Sequence, residues 1–226
     1  MAERASSFAI DVVSDVVCPW CFIGKRHLAA ALAQIDDLPD VVVRWHPFEL
    51  NPDLPASGVP RRDYLERKFG GAERAAQIYA RVHEAGRRAG IAFDFDAIER
   101  QPNTREAHRL IAWAQANGDA DALVERLFAA YFLEGRFIGD RDELARVAAE
   151  AGVDEAAART WLASDIGRAE IAKAEERARA LGITGVPFFI FDGRVALSGA
   201  HPPDTLRDAI RQARAGSQGG AASSAD

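Results

Sequence analysis

Residues 8–35 are FAIDVVSDVVCPWCFIGKRHLAAALAQI, a run of β-branched residues followed by two closely spaced cysteines and a helix-like segment. Residues 8–17 are apolar on both faces except at Asp11, Ser14 and Asp15, which is typical of a central strand covered on both sides. Residues 22–35 place apolar side chains at helical spacing. A Cys-x-x-Cys at such a strand–helix junction indicates a redox motif.

The chemistry of thiols explains why this position suits a reactive cysteine. The thiolate is the nucleophile in disulfide exchange, and an ordinary cysteine is only a few per cent ionised at neutral pH. Cys18 would lie at a helix N-terminus, where free N–H groups and the helix dipole favour the anion. Pro19 suits the first helical position. Cys21 follows one turn later, close enough to resolve a mixed disulfide and more shielded from solvent.

Three alternatives for the cysteine pair are weaker. A structural disulfide across two residues constrains the unfolded chain very little. A zinc site usually needs four ligands, and Cys18 and Cys21 are the only cysteines, while the five histidines lack metal-ligand spacing. A chance pairing of inert cysteines does not explain the Pro-Trp between them after a strand.

Length and composition limit the classes of function. The 226 residues can form one large domain or one domain with a sizeable insertion, and the net charge of −6 leaves no basic footprint for nucleic acid. No apolar run is long enough to span a membrane. Residues 1–7 lack the pattern of a secretory signal, so we expect a cytoplasmic protein with no membrane or nucleic-acid partner.

The remaining pattern predicts the order β-α-β, a long helical block, then β-β-α. A second strand is predicted over 41–50, with Pro47 ending its hydrogen-bonded part. Asp192-Gly193 indicates a hairpin between two short strands, and a final helix should follow. Because neither pair of strands makes a stable sheet alone, all should share one sheet. This predicts an α/β thioredoxin fold with a large helical insertion.

The expected boundaries follow from that order. Residues 8–58 and 182–214 should form the thioredoxin-like domain, and residues 59–181 the inserted helical domain. Residues 1–7 and 215–226 are expected to be disordered tails, since the second is rich in Gly, Ser and Ala.

Five segments together resemble the DsbA family, in its FrnE-like branch: SDVVCPWCFIGKRHL, WHPFELNPD, PNTREAHRLIAWA, YFLEGRFIGD and LGITGVPFFIFDGRVALSGAHPP. The resemblance spans residues 8–213. It implies thiol–disulfide oxidoreductase or isomerase activity, with Cys18 as nucleophile and Cys21 as resolving cysteine. It implies no required cofactor, and substrates that carry disulfides or thiols, either proteins or glutathione.

The resemblance also assigns roles around Pro187. The segment Thr184-Gly185-Val186-Pro187 matches the family motif in which this proline is cis and faces the active-site disulfide. The backbone of Val186 would then pair with an extended substrate like an added strand. Periplasmic DsbA proteins carry Pro-His between their cysteines, whereas this chain carries Pro-Trp. Because an indole cannot stabilise a thiolate by charge, we expect a less oxidising disulfide here.

A related branch, the glutathione-dependent kappa-class transferases and hydroxychromene carboxylate isomerases, shares the architecture. Those proteins typically have serine where Cys18 stands, so the cysteine argues against their chemistry without removing glutathione as a redox partner. Asn51 and Asn103 fall in segments that line the glutathione site there, as does Val186. Two alternatives therefore stay open: a glutathione-dependent isomerase or transferase, and a redox-independent, chaperone-like binding protein.

Two further residues are candidates for supporting the site. Asp15 lies near the cysteines and could move protons for Cys21, although a carboxylate that only caps a strand end is an equal alternative. Trp20 is forced by its place in the motif to the helix start, where an exposed ring suits apolar substrate segments, with packing against the helical insertion as the alternative. Asp11 and His201 are weaker candidates.

Overall fold

A computed structural model describes residues 7–38 and 40–220. Its main sheet has the order β2-β1-β5-β6, built from β1 (Phe8–Ser14), β2 (Val41–Pro47), β5 (Phe188–Phe191) and β6 (Val195–Ser198). Strand β1 is parallel to β2 and antiparallel to β5, which pairs antiparallel with β6. The strands from the two ends of the chain therefore share one sheet, as predicted, and β1 is a central strand.

Side-chain alternation along β1 gives the sheet two covered faces. Ile10 and Val12 belong to the main apolar core, together with Phe189 and Phe191 of the neighbouring strand. Val13 points to the other face, where a smaller cluster contains Phe48, Ala178 and Ile183. The end of β1 that leads to the cysteines is thus buried on both sides, which fixes the position of the following turn.

The helices are α1 (Pro19–Leu32), α2 (Arg61–Phe69), α3 (Ala72–Arg88), α4 (Arg105–Asn117), α5 (Asp121–Phe132), α6 (Arg141–Glu150), α7 (Glu155–Ala163), α8 (Arg168–Ala180) and α9 (Pro203–Gly220). Helix α1 packs against α9, and α9 also contacts β5 and β6. Helices α4 and α8 contact β2. Helices α2–α8 all come from the chain between the two halves of the sheet.

An aromatic cluster joins these intervening helices to α1. Phe22 of α1 stacks on Phe128 of α5 with ring centroids 5.0 Å apart, and Phe93 meets Phe22 edge-on. Phe22, Phe128 and Phe132 are at most 1% exposed. Because burying such a ring is worth about 1.5–3 kcal/mol, this contact holds the helical block firmly against the cysteine-bearing helix.

Local structure includes one capped helix start and one short ladder. Asp140 is the N-cap residue of α6, and its carboxylate accepts a hydrogen bond from Glu143 N at 2.9 Å. Two short strands, β3 (Val59–Pro60) and β4 (Arg100–Gln101), form a small ladder that the sequence pattern did not predict. Two-residue strands carry no periodicity from which they could be recognised.

The expected tail at 215–226 needs correction. Helix α9 continues to Gly220, so residues 215–220 are helical rather than disordered. The reason lies in the preceding turn, where Ala213 is buried and Arg214 contacts Asp37 at 3.0 Å, anchoring the helix end. Residues 1–6 and 221–226 lie outside the described residues, and the limits of the inserted domain stay a prediction. Among the described residues, no helix is both long and apolar enough to cross a membrane.

Candidate active site

The two cysteines occupy the start of α1. Cys18 is the N-cap residue in an extended conformation, and Pro19 follows as the first helical residue. The turn from β1 is closed by Cys18 N, which donates to Asp15 O at 3.0 Å. Both cysteines are free thiols, with Cys18 5% and Cys21 2% exposed. The pair therefore lies where free backbone N–H groups of the helix meet the first thiol.

The segment before β5 faces Cys18. The Cys18 Sγ lies 3.7 Å from the carbonyl oxygen of Val186, and the Val186–Pro187 peptide bond is cis. Gly24, one turn after Cys21 in α1, lets this segment approach closely. A Cβ atom on Gly24 would stand 3.0 Å from Cγ of Pro187 and 3.1 Å from the ring of Phe189. Strand β5 and helix α1 thus place a backbone carbonyl beside the candidate nucleophile.

Cys21 has a different environment from Cys18. Burial raises the pKa of the Cys21 thiol well above its ordinary value, and the neighbouring Cys18 raises it further. The hydroxyl of Ser14 and the backbone at Asp15 lower this pKa by a smaller amount. Cys21 is consequently a protonated thiol at neutral pH, and it must lose that proton before it can attack a disulfide.

Asp15 is fully buried between the strand and the helix. Its Oδ2 accepts from Leu50 N at 2.8 Å, and its Oδ1 accepts from Val17 N at 3.4 Å. His108 of α4 brings its Nε2 to 3.4 Å from Oδ1 of Asp15. The carboxylate therefore holds the cysteine-bearing turn together and also meets a histidine that the sequence did not single out.

Other predicted residues divide between the site and the surface. Trp20 is 40% exposed beside the cysteines. Asp11 lies away from the thiols, where His46 and Arg44 hold its carboxylate at 2.7 and 2.8 Å. His201 does not contact the cysteines among the described residues. Its carbonyl instead meets Nδ1 of His27 at 2.8 Å, joining the loop after β6 to α1.

Asn51 lines a surface cavity of about 450 Å³ with residues of α2. Its Oδ1 accepts from Lys68 Nζ at 3.3 Å, whereas its Nδ2 is buried without a hydrogen-bond partner among the described residues. Partial desolvation lowers the pKa of Lys68, and the charges of Asp15 and Cys18 oppose that shift. Burial raises the pKa of Tyr64, next to it, to about 12. This cavity thus combines an amide side chain with a cation whose charge interacts with that of Cys18.

Asn103 lies behind the same loop and has a different environment. Its Nδ2 donates to the carbonyls of Pro52 and Leu54 at 3.3 and 3.1 Å, and its Oδ1 accepts from Arg105 N at 3.0 Å. Since these bonds occupy the side-chain amide within the protein, Asn103 is placed to hold the loop that carries Asn51.

Lys68, Tyr64 and His108 are residues that the sequence reasoning missed. They come from α2 and α4, far from the cysteines along the chain, and none belongs to a motif. The one available signal was the segment match that contains His108. Within the described residues, no group of three or more His, Cys, Asp or Glu side chains is arranged to hold a metal ion.

Comparison with known proteins agrees with this arrangement. The family model of the DSBA-like thioredoxin domain matches residues 9–211. The uncharacterized protein YwbO of Bacillus subtilis (strain 168) is 31% identical over 209 residues, covering 89% of this chain and 94% of that protein. The crystal structure of a probable DsbA oxidoreductase from Streptomyces coelicolor has 30% identity and a TM-score of 0.83, covering 92% of this chain and 90% of that one.

A more distant structure shares the fold. The cytosolic disulfide reductase DsbM from Pseudomonas aeruginosa, solved with GSH, is 21% identical with a TM-score of 0.63, covering 90% of this chain and 98% of that one. These likenesses, with the sheet order described above, confirm the α/β thioredoxin fold with substantial helical content that the sequence predicts.

Proposed function

We propose that this chain, which belongs to the DSBA-like thioredoxin domain family, is a thiol–disulfide oxidoreductase or isomerase that uses the Cys18–Cys21 pair. The observation that carries the proposal is the unequal placement of two free thiols at one helix start. Cys18 caps the helix and faces the Val186 carbonyl at 3.7 Å, whereas Cys21 is buried one turn deeper. The first suits an attacking thiol and the second a resolving one.

The reaction follows from these positions. The Cys18 thiolate attacks one sulfur of a substrate disulfide, forms a mixed disulfide and releases the other sulfur as a thiolate. Cys21 then loses its proton and attacks Sγ of Cys18, and the second substrate thiolate leaves. The substrate disulfide gains two electrons, and the enzyme pair becomes a disulfide. The reverse sequence oxidises a substrate dithiol, and the relative potentials decide the direction.

Two features near Cys18 suit an extended, partly apolar substrate. The backbone at Val186 lies beside the thiol, next to the first residue of β5, so an incoming strand could pair with it. Trp20, 40% exposed, offers an apolar face next to the reacting sulfur. Protein disulfides therefore fit the site, with Pro19 and Pro187 fixing the two backbones that border it.

Glutathione is the proposed small-thiol partner. Two glutathione molecules would reduce the enzyme disulfide and leave as one glutathione disulfide, so electrons balance. Lys68 supplies a cation for a glutathione carboxylate, and Asn51, which lines the same cavity, accepts from Lys68 Nζ and orients it. Such a reductant is abundant in the cytoplasm, the compartment we propose for the protein.

The first experiment is equilibration of the purified protein in graded glutathione redox buffers, followed by trapping of free thiols and mass counting. We expect a single two-electron transition of Cys18 and Cys21, with a potential less oxidising than that of DsbA, which is about −120 mV. Cys18→Ser should abolish turnover, and Cys21→Ser should accumulate mixed disulfides. Full exchange activity in Cys18→Ser would contradict the proposal.

The cavity beside Asn51 and Lys68 also favours a second candidate, a glutathione-dependent isomerase or transferase. The two candidates differ in their use of the cysteines. If glutathione binds tightly, Asn51→Ala removes activity and Cys21→Ser retains it, the second candidate is correct. If client binding survives loss of both cysteines and no redox transition occurs, the chain is instead a chaperone-like binding protein.

A further inference from the structure

Three residues that each carry a buried, unpaired polar atom line one small cavity beside the cysteine-bearing turn. Ser14 Oγ, Trp45 Nε1 and His108 Nε2 have no hydrogen-bond partner among the described residues. Their residues are 5%, 5% and 4% exposed. All three residues line the same cavity, which has a volume of about 20 Å³. The rest of its lining is mostly apolar and includes Val16, Ile111 and Val124.

This combination has a specific physical meaning. Leaving a buried polar atom unpaired costs about 1–3 kcal/mol, so three such atoms around one cavity call for a shared partner. A water molecule needs roughly 10–15 Å³ and two to four polar partners, and the cavity meets both conditions. Donors and acceptors are both present, because the indole N–H donates and a hydroxyl can do either.

The cavity is connected to the chemistry through Ser14 and His108. The Ser14 hydroxyl lies close enough to Cys21 to act on its thiol. On the other side, His108 Nε2 is 3.4 Å from Oδ1 of the fully buried Asp15. A water molecule between them would complete a path from the resolving thiol to a histidine–carboxylate pair.

We propose that Ser14, Trp45 and His108 hold one water molecule in this cavity. Through this water, His108 takes up the proton that Cys21 loses when it resolves a mixed disulfide. His108 is therefore a positioning residue for the second step, and the inference rests on the proposed function.

The step balances as follows. The proton moves from Cys21 Sγ through the Ser14 hydroxyl and the water to the imidazole of His108. The sulfur electron pair left on Cys21 forms the bond to Sγ of Cys18, and the bond between Cys18 and the substrate sulfur breaks. The substrate leaves as a thiolate, and the proton on His108 is returned to solvent in a later step.

Charged groups on several elements lie around His108. Asp15 faces it from the turn before α1. Burial and the charge of Glu175 raise the pKa of Glu49, which is 2% exposed, and the charges of Arg105 and His108 oppose that shift. Glu175 of α8 accepts from Glu49 N at 2.5 Å, and Arg105 of α4 contacts Glu49 at 2.9 Å. His46 of β2 also lines the cavity, with its Nε2 paired to Asp11. Arg179 of α8 also contacts Glu175, at 3.8 Å, so three carboxylates and two arginines make up this network.

A single-turnover reaction with one equivalent of the aromatic disulfide DTNB separates the two steps. Attack by Cys18 releases the first coloured thiolate, and attack by Cys21 releases the second. We expect His108→Gln to leave the rate of the first phase unchanged and to slow the second phase about tenfold at pH 7. This effect is smaller than the usual contribution of general acid–base catalysis because Asp15 remains in the variant. The second-phase rates should converge towards pH 10, where hydroxide removes the Cys21 proton directly.

Two further variants and one control complete the test. Trp45→Phe and Ser14→Ala each remove one polar atom from the cavity and should slow only the second phase. His83→Gln, in α3 beside Phe95, is the matched control and should leave both phases unchanged. If Trp45→Phe and His108→Gln slow neither phase, or slow the second phase by the same factor at every pH, the relay is wrong. A high-resolution crystal structure without a water bonded to the three atoms would overturn the site.

Failure of the proposed function gives a different result. If the wild-type protein releases no thiolate in the first phase, the cysteine pair is not a redox pair and the function itself is wrong. If both phases occur in every variant at wild-type rates, the function stands and only the role of His108 is wrong.

Discussion

Replacing Gly24 by alanine adds one methyl group at the closest contact between α1 and the segment before β5. The new Cβ would lie 3.0 Å from Cγ of Pro187 and 3.1 Å from the Phe189 ring, both tighter than ordinary van der Waals contact. Phe189 is fully buried and its ring is parallel to that of Phe191 at 6.2 Å, so it cannot swing away freely. The substitution therefore presses on both partners that align the site.

Two effects of opposite sign determine the change in stability. Alanine is favoured over glycine inside a helix by about 1 kcal/mol. Overpacking a well-packed core by one methyl costs about 1–3 kcal/mol, and the rigid proline ring and buried phenylalanine place this site near the middle of that range. We expect the clash to win, with a net loss of about 1 kcal/mol and a fall in Tm of about 2–4 °C.

Urea unfolding of Gly24→Ala and of Gly216→Ala measures this balance. Gly216 lies in α9 with only an ordinary contact, 3.6 Å from Cδ of Arg194, so its alanine variant should be neutral or slightly stabilised. Displacement of Val186 by a few tenths of an ångström should also slow the first phase of DTNB reduction. If Gly24→Ala equals or exceeds the wild-type midpoint, the packing argument is refuted, because the strand would then yield at no cost.

Three other perturbations test separate parts of the structure. Arg109 has no exposed surface and donates to the carbonyls of Ser164 and Ile166, so Arg109→Met should lower the free energy of unfolding by about 3 kcal/mol, measured by denaturant titration. Asn103→Ala should lower the free energy of unfolding by about 1–2 kcal/mol and weaken the reaction with glutathione, as measured by unfolding and redox-buffer assays. If neither changes, Asn103 does not hold the loop. Burial raises the pKa of Cys21 in the folded chain, so the unfolded chain loses that proton at a lower pH. The free energy of unfolding of the reduced protein should therefore fall as the pH rises above about 8.5, and it should fall less steeply in Cys21→Ala.

Local chemistry made the start of α1 predictable from the sequence. A both-sided apolar run, a proline in the first turn and the cysteine spacing all depend on neighbours within a few residues, and these features lie where they were expected. The hairpin at Asp192-Gly193 is of the same kind, with Asp192 at φ 50° and Gly193 at φ 67°. Such positive φ values are what Asp-Gly favours, so the turn could be predicted without knowing its partners.

The rest of the site depends on contacts that sequence separation hides. The residues next to His108 and Lys68 in the sequence do not indicate a function for either one. The position of α4 brings His108 to Asp15, and the position of α2 lets the charge of Lys68 interact with that of Cys18. Asn103 stays a predicted contact of a thiol ligand, and its bonds to the carbonyls of Pro52 and Leu54 are partners that its sequence position does not show. A side-chain type predicts what an atom can bond to, whereas the fold determines which partner is within reach.

Under the proposed function, the helices between the two halves of the sheet give the two chemically identical thiols different tasks. On the side of Cys18, α2 brings Lys68 close enough for charge to act between the two groups. On the side of Cys21, α4 brings His108 to the carboxylate of Asp15, beside a thiol whose pKa burial holds high. Because the roles come from these surroundings, exchanging which cysteine is reactive would require moving both helices. Substituting either sulfur alone leaves the other in its assigned role, so Cys18→Ser retains only a protonated, shielded thiol.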